Sequence, residues 1–276
     1  MNATLTTSVT VPVFPLSIYQ PVHVGKDEFG EPVYVELAER NMLIGGEPGG
    51  GKSSAINLIT AHGALSGDCR LILIDGKQVE LGPWRECADR FVGPSMTDAL
   101  ETARWLQHLM NDRYDRLLAA GLRKISPASG QPVYLVIIDE YAYFSATVGK
   151  KPEREDFAAL VRDLVARGRA AGVIVILATQ RPSHQVIDPS LRDLFGYRWA
   201  FRCTTDSSSD VVLGHGWAGQ GYSAATIDPL ARGVSWLLAE TGIPRRVKTA
   251  YLTDQHIKYL AAYAAQLRRK EAPDAS

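Results

Sequence analysis

Eight consecutive residues constrain this chain more than anything else in it. Gly46-Glu47-Pro48-Gly49-Gly50-Gly51-Lys52-Ser53 fits the pattern G-x-x-x-x-G-K-[S/T]. It follows a strand-length apolar run at 42–45 and opens a helix-length run at 52–64, the context the pattern requires. The physical logic is specific: glycines let successive backbone N–H groups curl around phosphate oxygens, and the helix N-terminus adds positive dipole. Lys52 would reach the β and γ phosphates, and Ser53 would offer its hydroxyl to Mg²⁺. With Ser54 beside them, these residues form a candidate cradle for ATP and Mg²⁺. A bare glycine turn would match by chance in roughly one such sequence in a hundred.

A loop of this kind needs a sheet to carry it. Beyond residue 42, strand-length apolar runs (42–45, 71–75, 134–139, 173–179) alternate with amphipathic stretches (52–64, 96–120, 153–171), which predicts a parallel sheet covered by helices on both faces. Gly121 and Gly172 sit where helix ends need a left-handed residue, and Ser95 with Asp98 resembles an N-terminal capping box. Three β-like runs (197–202, 234–240, 246–252) and a helix at 254–269 complete the pattern. Residues 1–25, with Pro12, Pro15 and Pro21, are read as an extended lead-in or edge strand. The main domain is expected over 26–253, and 254–276 as a C-terminal helix with a frayed tail. At 276 residues and 46% hydrophobic, one large α/β domain is the ordinary outcome.

Composition excludes several function classes. Three widely spaced cysteines (Cys69, Cys87, Cys203) and six scattered histidines carry no zinc-ligand spacing and are read as reduced core thiols and ordinary histidines. Thirty basic against thirty acidic residues mean that a polyanion would have to be met by a local patch. The longest apolar runs are of strand length and no signal-peptide pattern opens the chain, so the expectation is a cytoplasmic protein without a membrane span of its own.

Two further strand ends carry chemistry. The run at 134–138 ends in Asp139-Glu140, where two acids at the C-terminal end of a parallel strand face the crevice of an open α/β sheet. Asp139 is the candidate second contact for Mg²⁺ and Glu140 the candidate base that polarises water. Kinases of small molecules share the phosphate loop but seldom need the second acid, so Glu140 favours hydrolysis. At the end of the next strand, Gln180 can hydrogen-bond a γ-phosphate or its water.

With these motifs placed, the chain resembles the FtsK/SpoIIIE family of double-stranded DNA translocases. The resemblance runs from about residue 24 to 253. It includes GKDEFGEPV, LILIDGKQVEL, NDRYDRLLAAGLR, VIIDEYA, TVGKK and ARGRAAGVIVILATQRPS. Within the family, GGEPGGGKS, SLRDLFGYRWAFRC and GYSAATIDP are most similar to the short transfer proteins of actinomycete conjugative plasmids and integrative elements. The resemblance implies a RecA-like P-loop NTPase domain with a mainly parallel central sheet flanked by helices. It also implies assembly into a hexameric ring that threads duplex DNA and hydrolyses ATP, in conjugative transfer. Three departures stand out: no N-terminal membrane segment, so that anchoring would need a membrane partner; no room after Thr253 for a winged-helix domain; and Ser209-Asp210 where relatives often carry Ser-Arg. Type VII secretion ATPases, which move protein, share fold and motifs and form the alternative; a nucleotide-gated adaptor would not need the full hydrolytic set.

Lys150 and Lys151, beside the flexible Gly149 in the short TVGKK loop after the acid-ended strand, are the candidate contacts to DNA phosphates. Arg268-Arg269-Lys270 reads as a charge cluster complementing a helix terminus. Arg169 is a candidate arginine finger. If the helix runs to 171, Arg162 and Arg169 fall about 20° apart on the edge opposite the core stripe, and related DNA-transfer ATPases place a finger in a similar Gly-Arg-x-Ala-Gly segment. Such an edge would face a neighbouring subunit.

Overall fold

The computed structural model describes residues 13–240 and 242–271; the first twelve residues of the expected lead-in and the tail at 272–276 lie outside them. The elements in chain order are β1 Val22–Asp27, β2 Pro32–Val35, β3 Met42–Gly45, α1 Lys52–Ala64, β4 Cys69–Asp75, β5 Arg90–Val92, α2 Met96–Ala119, β6 Val133–Asp139, α3 Lys151–Arg167, β7 Val173–Thr179, α4 Pro189–Arg192, β8 Tyr197–Phe201, α5 Asp206–Leu213, β9 Val234–Ala239, β10 Arg245–Thr249 and α6 Asp254–Glu271. One ten-stranded sheet runs β2-β1-β10-β9-β8-β3-β7-β6-β4-β5. From β8 to β5 every neighbour is parallel; from β8 to β2 every neighbour is antiparallel.

The central parallel strands are mostly apolar because both faces are covered, yet their residues still alternate between two cores. Leu71, Leu73, Leu135, Ile137, Ile174 and Ile176 point to the layer of α1 and α6. Ile72, Ile74, Val136, Ile138, Val173 and Val175 point to the layer of α2, α3 and α5, as period-2 geometry requires. The three thiols are buried and unpaired. Burial pushes Cys69 and Cys203 up to about 12 and Cys87 to about 11, so all three stay protonated and inert.

Three expectations change on folding. The boundary placed at residue 25 falls inside β1, which pairs with both β2 and β10; Gly25 sits there at φ 151°, where a Cβ would lie 2.1 Å from the Lys248 carbonyl oxygen. The helix expected to 171 is regular to Arg167; beyond it Gly172 N–H donates to Arg169 O at 3.2 Å and Val173 N–H to Gly168 O at 2.9 Å, and Gly172 turns left-handed at φ 68°, the conformation expected of it. Arg268 is no surface charge: its guanidinium is 9% exposed and reaches the Gly63, Ala64 and Cys69 carbonyls and the Asp89 carboxylate. With Ile257, Ala261, Ala264 and Ala265 in the core, that contact makes α6 part of the domain. The β-like runs at 197–202, 234–240 and 246–252 are β8, β9 and β10, whereas β5 and α5 eluded the periodicity analysis because a three-residue strand and an eight-residue helix carry too little pattern.

Candidate nucleotide-binding site

In the parallel half, β3, β4, β6 and β7 all end at one edge of the sheet. Asp75 stands level with Asp139, and Gly45 with Thr179. The chain between β3 and α1 is the glycine loop. Gly46, Gly49 and Gly51 have φ of 155°, 80° and 110°, values that L side chains avoid. At Gly51 space is closed as well, since a Cβ would sit 2.6 Å from the Gly233 Cα. The loop is tied on both sides. Gly46 N–H donates to Thr179 O at 3.3 Å, Glu47 N–H to Arg202 O at 2.9 Å, and Gly50 O accepts from Gly233 N–H at 2.9 Å. The Glu47 carboxylate is held by the Thr204 hydroxyl and by Arg202 at 3.4 Å.

Lys52, 3% exposed, donates to Asp139 Oδ1 at 2.5 Å. A buried pair of this kind is retained only where its geometry and further bonds offset desolvation, and here Asp139 Oδ2 has no hydrogen-bond partner among the described residues. That orphaned oxygen, with Ser53 in the first turn of α1, suits a Mg²⁺ ion that takes its remaining ligands from phosphates and water. Among the described residues no cluster of three His, Cys, Asp or Glu could hold a metal alone.

Glu140 is left-handed at φ 54°, a conformation that costs a residue with Cβ about 1–3 kcal/mol. The turn aims its carboxylate at the neighbouring strand end: Oε1 accepts from the Thr179 hydroxyl at 3.0 Å, and Oε2 from Gln180 N–H at 3.2 Å. Because β7 lies between β3 and β6, Gln180 sits between the loop and the acid pair. Lys77 completes this cluster, 3.7 Å from Glu140 Oε2 and 3.3 Å from Gln180 Oε1. It is placed by Asp75, fully buried, whose carboxylate accepts from the N–H groups of Lys77, Gln78 and Leu81 at 2.8–3.0 Å. Sequence reasoning gave Lys77 no role, although the fixed spacing of Asp75-Gly-Lys77 after a strand was its signal.

The structure therefore brings together Gly46 to Ser54, Lys52, Asp139, Glu140 and Gln180. It does not bring Arg169 to them. Arg169 lies before β7, at the opposite edge of the sheet; its Nε donates to Glu39 O at 2.6 Å and it pairs with Glu240 at 3.5 Å. The helical projection took α3 to 171, whereas α3 is regular to Arg167 and Arg169 lies in the turn that follows. Lys150 and Lys151 are exposed but are not a free loop: Lys151 opens α3 and pairs with Glu155 at 3.7 Å, while Lys150 N–H is capped by Glu153 at 2.5 Å. Asp210, at the position of the expected arginine, organises a turn through Gly216 and Ala218 N–H groups.

A glycine cradle, an acid-ended strand and a third strand inserted between them, on a sheet flanked by helices, define the P-loop ATPase fold. Residues 18–132 match the FtsK/SpoIIIE family. The chain is 30% identical over 275 residues to the DNA translocase FtsK of Pseudomonas aeruginosa, covering 86% of this chain and 32% of that protein; it thus spans about a third of that relative's length. Its fold is similar to the pCW3 conjugation coupling protein TcpA, in the monomer form with ATPgS (TM-score 0.75, 18% identity, 95% and 75% of the two chains). It is also similar to the cytoplasmic domain of the type VII secretion ATPase EccC of Thermomonospora curvata (TM-score 0.71, 20% identity, 95% and 32%). Among the described residues no helix is long and apolar enough to cross a membrane.

Proposed function

We propose that this chain hydrolyses ATP to move double-stranded DNA, as a homo-oligomeric ring, hexameric as the family resemblance implies, during conjugative transfer. The observation that carries the hydrolytic part is the meeting of Glu140 and Gln180 beside the Lys52–Asp139 pair. In this reading Gly49 to Lys52 bind the phosphates through backbone N–H groups, and Lys52 shifts from Asp139 to the γ-phosphate. Ser53 and Asp139 would hold Mg²⁺, which when bound neutralises phosphate charge. Glu140 takes a proton from the attacking water as its oxygen bonds to the γ-phosphorus; the bond to the β–γ bridging oxygen breaks and ADP leaves with that oxygen. Gln180, hydrogen-bonded to Glu140 by its N–H, orients the water and links the γ-phosphate to the segment beginning at Arg181.

The similarity to FtsK over most of this chain supports DNA as the polymer moved; Lys150 and Lys151 remain the proposed phosphate contacts. The conjugative setting, with a membrane partner supplying any anchorage, rests on the resemblance of GGEPGGGKS, SLRDLFGYRWAFRC and GYSAATIDP to transfer proteins; the likeness to TcpA is one of fold. The likeness to EccC favours a protein-moving alternative in fold only. Steady-state ATP hydrolysis with linear duplex DNA, or with a peptide of secretion-signal type, separates the two. We expect stimulation several-fold or more by duplex alone, abolished in Lys52→Ala. Circular dichroism must accompany that variant, because it also leaves Asp139 without its counter-ion. Stimulation by peptide and not by DNA would overturn the DNA reading.

A further inference from the structure

The cleft over the glycine loop has a second wall built from the far end of the chain. Gly50 O accepts from Gly233 N–H, and Gly233 O accepts in turn from Thr249 N–H at 2.9 Å, so β10 lies one backbone layer behind the loop. The resulting cavity, about 490 Å³, is lined by the loop residues together with Arg232, Thr249 and Tyr251, a size ordinary for a small-molecule site. Two features of this wall lack an explanation within the fold. Thr249 is 5% exposed and its hydroxyl has no hydrogen-bond partner among the described residues, a state that costs folding free energy unless a ligand satisfies it. Tyr251 is 69% exposed, a large aromatic ring standing open to solvent.

The position of Tyr251 identifies what would cover it. It lines both the loop cavity and an adjoining one of about 420 Å³, and the residues common to both are Ser53, Ser54 and Tyr251. Phosphates gripped at Gly49 to Lys52 leave the remainder of a nucleotide emerging past Ser54, over this ring. We infer that Thr249 and Tyr251 form the nucleoside subsite: the base stacks on the Tyr251 ring, and the Thr249 hydroxyl bonds the nucleoside. This rests on the nucleotide reading of the glycine loop and adds to it a recognition surface for the part of the ligand that carries no phosphate.

The test is calorimetric titration of the full chain with ATP and, separately, with inorganic tripolyphosphate, each with Mg²⁺. Tyr251→Ala should weaken ATP about 5- to 150-fold, the worth of one aromatic–base stack, with tripolyphosphate affinity unchanged. Tyr251→Trp should retain ATP, and the isosteric Thr249→Val should weaken it about 2- to 12-fold. ATP affinity indifferent to Tyr251→Ala, or an equal loss for ATP and tripolyphosphate, would overturn the subsite while leaving the phosphate loop standing. Failure of the unmodified chain to bind either ligand would overturn the nucleotide reading and the subsite with it.

Discussion

The two halves of the sheet differ in what they do and in how they reveal it. The parallel half, β8 to β5, carries every residue assigned to hydrolysis: Lys52 after β3, Lys77 after β4, Asp139 and Glu140 at the end of β6, Gln180 after β7. The antiparallel half carries none of them, yet it holds the loop through Gly233 and closes the cleft with Thr249 and Tyr251. Parallel strands of one sheet all end at the same edge, so crossover topology gathers catalytic groups from distant positions in the chain. Antiparallel strands end at alternate edges, and their contribution is a wall.

Chemistry and wall can be separated experimentally. The largest effect is expected from Glu140→Gln. Hydrolysis should fall by about 10²–10⁴, the usual worth of a positioned base, while ATP affinity holds within a few-fold, because the lost charge acts on water. Single-turnover kinetics beside equilibrium binding would show it, and a collapse of affinity would place Glu140 in binding instead.

Gly51→Ala attacks the joint between the halves. Its Cβ would meet the Gly233 backbone at 2.6 Å in a left-handed conformation, so ATP affinity should drop tenfold or more, with a lowered melting temperature. Normal binding would mean that the loop does not depend on the antiparallel half.

A smaller effect is expected at Lys77, which faces Glu140 and Gln180 but not the phosphates in this arrangement. Lys77→Met should lower kcat roughly tenfold, in line with losing one charge-assisted contact of about 1.5 kcal/mol, with KM for ATP little changed and Lys77→Arg recovering part of the loss. A rise in KM alone would tie Lys77 to the nucleotide rather than to the acid.

Arg169→Ala should do least to turnover, within a few-fold, because its guanidinium already spans Glu39 and Glu240 across the two halves; the cost should appear as about 1 kcal/mol of stability. A loss of about 10³ or more, rescued by mixing with Lys52→Ala chains, would restore the arginine finger acting between subunits.

What the amino-acid sequence determined by itself was the set of local signals. The glycine loop, the acid-ended strand and the strand before Gln180 each lie within eight or so consecutive residues, and each has a physical meaning that survives whatever surrounds it. The same holds for the bounds of β3, α1 and β7, set by glycines and apolar runs. Only the tertiary structure could decide what distant segments do to one another. It inserted β7 between β3 and β6 and so laid Gln180 against Glu140. It turned Arg268 inward to bond carbonyls some 200 residues away, and it ended α3 two residues short of Arg169. It also set Tyr251 beside Ser54, a juxtaposition without any trace in spacing or composition. The reason is that strand order and long-range packing arise from the summed burial of whole faces, to which no single short motif is sensitive.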